Sequence, residues 1–252
     1  MAKRKGEVVL EQAQRKKERT PVSGEMPCSL LSDVCITEKE WTHKNENQLN
    51  ISSVILYRTY REKTYIFNAL EKQIEYFTEP RLTRIKVFSK WHDIPRKHSA
   101  YGDDGVSYKY SGTTVTAKQW HHAPILELIR SHIEQCTGIR YNFVLINRYA
   151  DGRDKMGEHK DDEKELDMNV PIASLSVGQE RDFVFRHQDV VRKRKGGNGV
   201  VDGLSIYKMV LKNGMLLLMR RPTNQFWYHS LPARSPNTCP GVRVNLTFRK
   251  II

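Results

Sequence analysis

His159 and Asp161, one residue apart in Gly157-Glu158-His159-Lys160-Asp161, and His229, 68 residues beyond Asp161, are the residue types in this chain best suited to a metal. Two imidazoles and one carboxylate on one face of an ion leave three coordination positions open. That suits non-haem Fe(II), which must hold a co-substrate and O2 together. An isolated His-x-Asp is a weak signal, because chance supplies it often and a distal histidine is easily found among nine. A hydrolytic zinc site would accept the same ligands.

The segment 242–249 sharpens the reading. Val242, Val244, Leu246 and Phe248 alternate with Arg243, Asn245, Thr247 and Arg249, so a strand here carries one apolar and one polar face. On a solvated face two arginines are unremarkable. Inside a barrel their guanidinium groups need anionic partners, and a dicarboxylate co-substrate supplies two that match the planar Arg fork. A second such face runs along 141–149, where Asn147 and Tyr149 follow Phe143 and Leu145 in register. The paired arginines are what a zinc hydrolase leaves unexplained.

The elements that must position these residues follow from periodicity. Ile66, Leu70, Ile74 and Phe77 predict a helix over 62–77, and Ile125, Ile129, Ile133 and Cys136 a second over 124–136, opened by Pro124 and closed by Gly138. Strands are predicted over 141–149, 171–177, 181–187, 204–211, 214–219, 225–230 and 242–250, with 192–199 (RKRKGGNG) as an exposed hairpin tip. Helices followed by many short strands predict a mainly β fold with a helical buttress, a sandwich or jelly roll.

Residues 1–50 are polar and hold 9 basic against 8 acidic groups, the pattern of a disordered tail. Its clusters Lys3-Arg4-Lys5 and Arg15-Lys16-Lys17 match nuclear import signals, so a nuclear address is expected. The net charge of +13 therefore sits almost wholly on residues 51–252, which points to a polyanion such as nucleic acid. The four cysteines lack CxxC spacing and the N-terminus lacks an apolar signal segment, so free thiols in a reducing compartment are expected. The longest apolar run, Met215 to Met219, is far too short to span a bilayer, and no membrane role is expected.

The series Asn147-Arg148-Tyr149, His159-Lys160-Asp161-Asp162-Glu163, His229 and Arg243 to Arg249 resembles the AlkB family of Fe(II)/2-oxoglutarate-dependent dioxygenases. The resemblance covers about residues 55–252, some four-fifths of the chain. Within the family it is closest to the nuclear branch that repairs alkylated bases in double-stranded DNA, as Arg181 to His187 and Trp227 to Pro232 suggest. It implies a double-stranded β-helix over 51–252, with nucleotide-recognition hairpins at 84–112. It implies Fe(II) held by His159, Asp161 and His229, and 2-oxoglutarate held by Arg243, with Asn147, Tyr149, Asn245, Thr247 and Arg249 completing the pocket. It implies a monomer that consumes 2-oxoglutarate and O2, releases succinate, CO2 and an aldehyde, and converts N1-methyladenine and N3-methylcytosine back to the unmodified bases.

On the nucleic-acid side, Arg84, Lys86, Phe88 and Lys90 share one face if 84–90 is a strand. Cations tracking phosphates beside an aromatic wedge suit a protein that takes a base out of its stack, although Phe88 reads equally well as core. The family carries an aromatic finger in a V-F-G-K-W motif, which here reads Val87-Phe88-Ser89-Lys90-Trp91, so Ser89 replaces the glycine. Arg96 is expected to contact the strand near the orphan base. Tyr108, Lys109 and Tyr110 are expected on the hairpin that covers the flipped base, and Asp162 on its exocyclic amine. The family's basic loop after W-Y-H-S-L-P is thinned here to Ala233-Arg234-Ser235-Pro236-Asn237-Thr238, with one cation. That keeps a single-strand DNA or RNA demethylase open as an alternative, beside a non-catalytic nucleic-acid binder. No aromatic clamp-binding motif is evident near the N-terminus.

Overall fold

The computed structural model describes residues 36–87, 90–110, 113–194, 196 and 205–252. In chain order these form β1 (Thr42–Glu46), β2 (Leu49–Ile55), α1 (Tyr60–Gln73), α2 (Pro80–Thr83), β3 (Arg84–Val87), β4 (Lys90–Asp93), β5 (Lys97–Gly102), β6 (Ser107–Tyr110), β7 (Thr113–Thr116), β8 (Lys118–Gln119), α3 (Pro124–Thr137), β9 (Phe143–Tyr149), β10 (Met156–His159), β11 (Ile172–Gly178), β12 (Arg181–His187), α4 (Gln188–Arg194), β13 (Ile206–Leu211), β14 (Met215–Met219), α5 (Thr223–Phe226), β15 (Trp227–Leu231) and β16 (Arg243–Arg249). The major sheet has the order β1-β2-β14-β11-β16-β9-β5-β8 and the minor sheet the order β10-β15-β12-β13. This is the expected helix-buttressed, mainly β jelly roll.

The two-faced strand β16 lies between β11 and β9. Its apolar side, Val244, Leu246 and Phe248, is completely buried; Trp120, just ahead of α3, stacks on Phe248. Helix α1 packs on β11 and on α3 on that side, contributing Ile66 and Leu70, while α3 contributes Ile125, Ile129 and Ile133. Each such side chain stabilises the fold by about 1.5–3 kcal/mol. The polar side of β16 is thereby turned toward the minor sheet. Both faces are buried, one by packing and one by chemistry.

Local signals set the element ends. Thr59 accepts from the Glu62 amide at 3.2 Å while Glu62 accepts from the Thr59 amide at 2.6 Å, a capping box that starts α1. Gly138 ends α3 in the left-handed region at φ 69°. Gly178, at φ 91°, ends β11 where an added Cβ would lie 2.3 Å from the Val242 carbonyl.

Four expectations change. The helix predicted to run to Phe77 stops at Gln73, because Ile74 turns extended and the Phe77 amide bonds the His98 carbonyl instead. The ordered body begins before residue 51: β1 pairs with β2 along five residues. As a polar, mostly exposed edge strand β1 has no apolar alternation to betray it. The segment 192–199 is not a hairpin tip where described, since Arg192, Lys193 and Arg194 are the last turn of α4. And 84–90 is no single strand: β3 and β4 form a hairpin in which Val87 pairs with Lys90 and Arg84 with Asp93. Lys90 therefore sits on the return strand. Phe88 and Ser89 lie outside the described residues, as do residues 1–35.

Candidate active site

Strands β10 and β15 are antiparallel neighbours with His159 opposite His229. Residues directly opposite share a face, and the two rings meet with centroids 4.2 Å apart. Asp161 follows two residues after the end of β10. Its Oδ1 lies 3.9 Å from His159 Nε2 and its Oδ2 3.7 Å from His229 Nε2, and one ligand atom from each residue falls within 4.8 Å of the others. His159 Nδ1 meets the Gly157 carbonyl at 2.9 Å. A carbonyl only accepts, so Nδ1 carries the proton and Nε2 presents its lone pair to a metal. Asp161 and His229 are buried, and His159 is the partly open edge.

Charge supports the same reading. Burial pushes the Asp161 carboxyl up, but Arg249, then His229 and His159, outweigh it and hold it at about 2. Burial, reinforced by His159, holds His229 at about 3. At neutral pH His229 and Asp161 thus offer a neutral imidazole and a carboxylate, the protonation states a divalent metal needs.

The polar face of the major sheet forms the opposite wall. In register, Arg243 faces Tyr149, Asn245 faces Asn147 and Thr247 faces Leu145 on one side; Asn245 faces Ser176 and Thr247 faces Ser174 on the other. Arg249 Nη2 donates to Asp161 Oδ1 at 2.9 Å. Arg243 Nη2 donates to Ser176 Oγ at 2.9 Å, and its guanidinium stands 5.2 Å from the Tyr149 ring. Arg243 Nε and Nη1 and Arg249 Nε and Nη1 are buried with no hydrogen-bond partner among the described residues. Burial lowers the Arg243 guanidinium to about 10, so it remains a cation. Asn245 Nδ2 is fixed by Ser174 Oγ and the Leu175 carbonyl, both at 2.9 Å. The triad, Asn147, Tyr149, Asn245, Thr247 and Arg249 line one shared pocket. Two His and one Asp suit Fe(II), and orphaned guanidinium donors behind them suit a carboxylate ligand.

Several participants went unread in the sequence. Ser174 and Ser176 alternate with Ala173, Leu175 and Val177, so β11 is a third strand with a small polar face. Phe183 shields His229 at 5.4 Å between ring centroids. Arg181, 1% exposed, donates to the carbonyls of Asp151, Gly152, Asp154 and Pro232 at 2.8–3.2 Å, pinning the turn that feeds β10. Arg181→Met should cost on the order of 3 kcal/mol, because buried carbonyls lose a charged donor. Melting should fall by about 6–12 °C in calorimetry; an unchanged transition would mean that the turn is held by other contacts.

His98 pairs in register with Asn147. Burial, then Arg96, lowers its imidazole from 6.5 to about 4. The unfolded chain therefore takes up this proton first, and stability falls as pH drops from about 6.5 toward 4. The loss amounts to about 3 kcal/mol at most, read as the difference in denaturant midpoints between wild type and His98→Gln. Parallel pH curves for the two proteins would remove His98 as the cause.

The expected nucleic-acid contacts are met unevenly. Arg96 does not project outward: its Nε donates to Asn147 Oδ1 at 2.8 Å and its Nη1 to the Lys155 carbonyl at 3.3 Å. Tyr108 is 1% exposed, tilted on Phe143 and 5.1 Å from the Arg249 guanidinium, so its ring belongs to the wall of the site and is not an open stacking surface. Lys90, Lys109 and Asp162 are exposed. The Tyr110 side chain lies outside what is described. Glu163, unread in the sequence, has its carboxyl raised by burial and then by Asp161.

Comparison with known proteins follows the same lines. The model of the 2OG-Fe(II) oxygenase superfamily matches residues 51–249. The chain is 44% identical over 254 residues to the Homo sapiens DNA oxidative demethylase ALKBH2, covering 94% of this chain and 93% of that protein. Its Mus musculus counterpart is 46% identical, covering 84% of each. The Homo sapiens alpha-ketoglutarate-dependent dioxygenase alkB homolog 3 is 35% identical over 62% of this chain and 52% of that protein. The solved structure of OsALKBH1 shares the fold, with TM-score 0.50 and 15% identity, covering 83% of this chain and all of that one.

Proposed function

The chain belongs to the 2OG-Fe(II) oxygenase superfamily, and from that premise we infer that it is a DNA repair dioxygenase which removes alkyl groups from bases by oxidation. Fe(II) is its cofactor and 2-oxoglutarate and O2 its co-substrates. The observation that carries this is the triad of His159, Asp161 and His229 set before two buried arginines with unpartnered donors. His159, Asp161 and His229 would hold the metal, which when bound would supply O2 activation. The residues of the chain do the rest. Arg243 receives a carboxylate, Asn245 and Thr247 orient the co-substrate, and Phe183 keeps water from the His229 side. Asp161 and His229 are buried, and an alkyl group on a base-pairing edge is covered inside a duplex, so the base leaves the helix to react.

N1-methyladenine and N3-methylcytosine, with etheno adducts as larger relatives, are the lesions we assign. Duplex DNA, acted on by a monomer in the nucleus, is the assigned substrate; the charge on residues 51–252 and the two N-terminal basic clusters support this. No helix among the described residues is long and apolar enough to cross a membrane. A single-strand preference has one observation in its favour: Arg234, the lone cation of its loop, is engaged by Asp182. The test is anaerobic loading with Fe(II), then O2, 2-oxoglutarate and an oligonucleotide bearing one lesion, duplex or single-stranded, with base mass and succinate followed together. Matched loss of alkyl mass and gain of succinate is expected, faster on duplex. Faster turnover of the single strand would reverse the strand assignment, and neither product from the iron-loaded protein would overturn the enzyme reading. A fluorescent fusion with both clusters neutralised should lose nuclear accumulation.

A further inference from the structure

Glu158 immediately precedes the ligand His159, yet points the other way. Phe185 pairs in register with His229 inside the barrel, so its neighbour Arg186 lies on the outer face of the minor sheet. Glu158 meets it there, with Arg186 Nη1 on Glu158 Oε1 at 2.6 Å. Because β15 runs between β10 and β12, this pair ties β10 to β12 over the ligand-bearing strand β15, across Tyr228, the register partner of Arg186. The same carboxylate also takes Arg194, whose Nη1 reaches Oε1 at 3.2 Å and whose Nη2 bonds Oε2. Arg194 closes the last turn of α4, beside Arg192 and Lys193.

The two partners differ in exposure. The Arg186 side chain is 27% exposed and that of Arg194 55%. An exposed guanidinium loses little when it exchanges one anion for another, whereas the less exposed Arg186 has the strand pairing holding it in place. We propose that Glu158 is a positioning residue that holds Arg194 in reserve until a nucleic-acid phosphate takes its place, and that through its remaining bond to Arg186 it keeps His159 aligned while α4 is engaged. This rests on the nucleic-acid reading above. Free protein then spends one of its cations internally, and binding exchanges a carboxylate for a phosphate at Arg194.

The experiment measures affinity for an unmodified oligonucleotide duplex against salt, a readout independent of demethylation. Each phosphate contact contributes a slope of about −0.9 for B-form DNA. Glu158→Gln should bind more tightly, because the competing carboxylate is gone. Arg194→Gln should have a slope shallower by about one contact, and the double variant should match Arg194→Gln alone. Succinate released per alkyl group removed should rise several-fold in Glu158→Gln and return toward wild type in Glu158→Asp, which a merely structural role would not produce. An unchanged affinity in Glu158→Gln, or an unchanged slope in Arg194→Gln, overturns the proposal. If Glu158→Gln fails to fold, the slope of Arg194→Gln alone decides. Failure of the demethylase reading shows differently, as wild-type protein that binds the duplex with a normal slope and never alters a lesion.

Discussion

Asp161→Asn should abolish turnover, by more than about a thousandfold, and should leave the protein unable to retain iron. Partners one shell out from a metal are typically worth about 10–100-fold each, and this substitution removes a ligand itself. It also removes the carboxylate that accepts Arg249 at 2.9 Å in a setting where both groups are 3% exposed. A buried guanidinium left without its counter-charge costs about 3–5 kcal/mol, so melting should fall as well. Asp161 and Arg249 hold each other's charge, Asp161 kept at about 2 and Arg249 raised by it despite burial. Metal content after dialysis, succinate production and the melting curve together check the result. Stoichiometric iron with ordinary turnover in D161N would remove Asp161 from the site.

Arg243→Met carries the second large effect and has the opposite signature. Arg243 is 1% exposed, has Ser176 as its hydrogen-bond partner and has no salt-bridge carboxylate among the described residues. Burial depresses its guanidinium to about 10. A buried cation without an anion opposes folding, so an apolar side chain of similar length should leave stability unchanged or raise it. The two charge-assisted bonds that a co-substrate carboxylate would make are lost, about 3 kcal/mol together, which is roughly a hundredfold in affinity. The KM for 2-oxoglutarate should therefore rise about a hundredfold while kcat at saturation and iron content stay near wild type. An unchanged KM, or a collapse of melting, would mean that Arg243 serves the fold and not the co-substrate.

The triad and the final strand were legible because both depend on residue type and a period of two, which survive in a linear string. His-x-Asp places two ligands on one strand end, and the alternation from Val242 to Arg249 names which side chains share a face. What could not be read depends on registers and partners. That His229 faces His159 is a fact about β10 and β15 pairing, and that Arg96 turns in to Asn147 is a fact about a loop folding back. Tyr108 reads as a surface aromatic because a four-residue strand gives no clue to which face is covered. Helix α4 was missed for a related reason: Arg192 to Arg194 has no apolar stripe beyond Val191, and a run of cations reads as solvated chain.

The position of β16 bears on the order in which the molecule can be made. It lies between β11 and β9, and among the described strands it comes last along the chain. Without residues 243–249 the strand order leaves the major sheet as two unjoined groups, β1-β2-β14-β11 and β9-β5-β8, each with an open edge. Arg243 and Arg249, the buried cations of the site, arrive with the strand that joins them. Addition of β16 therefore seals the sheet, buries both cations and completes the polar wall of the site in one event, so scaffold and site close together.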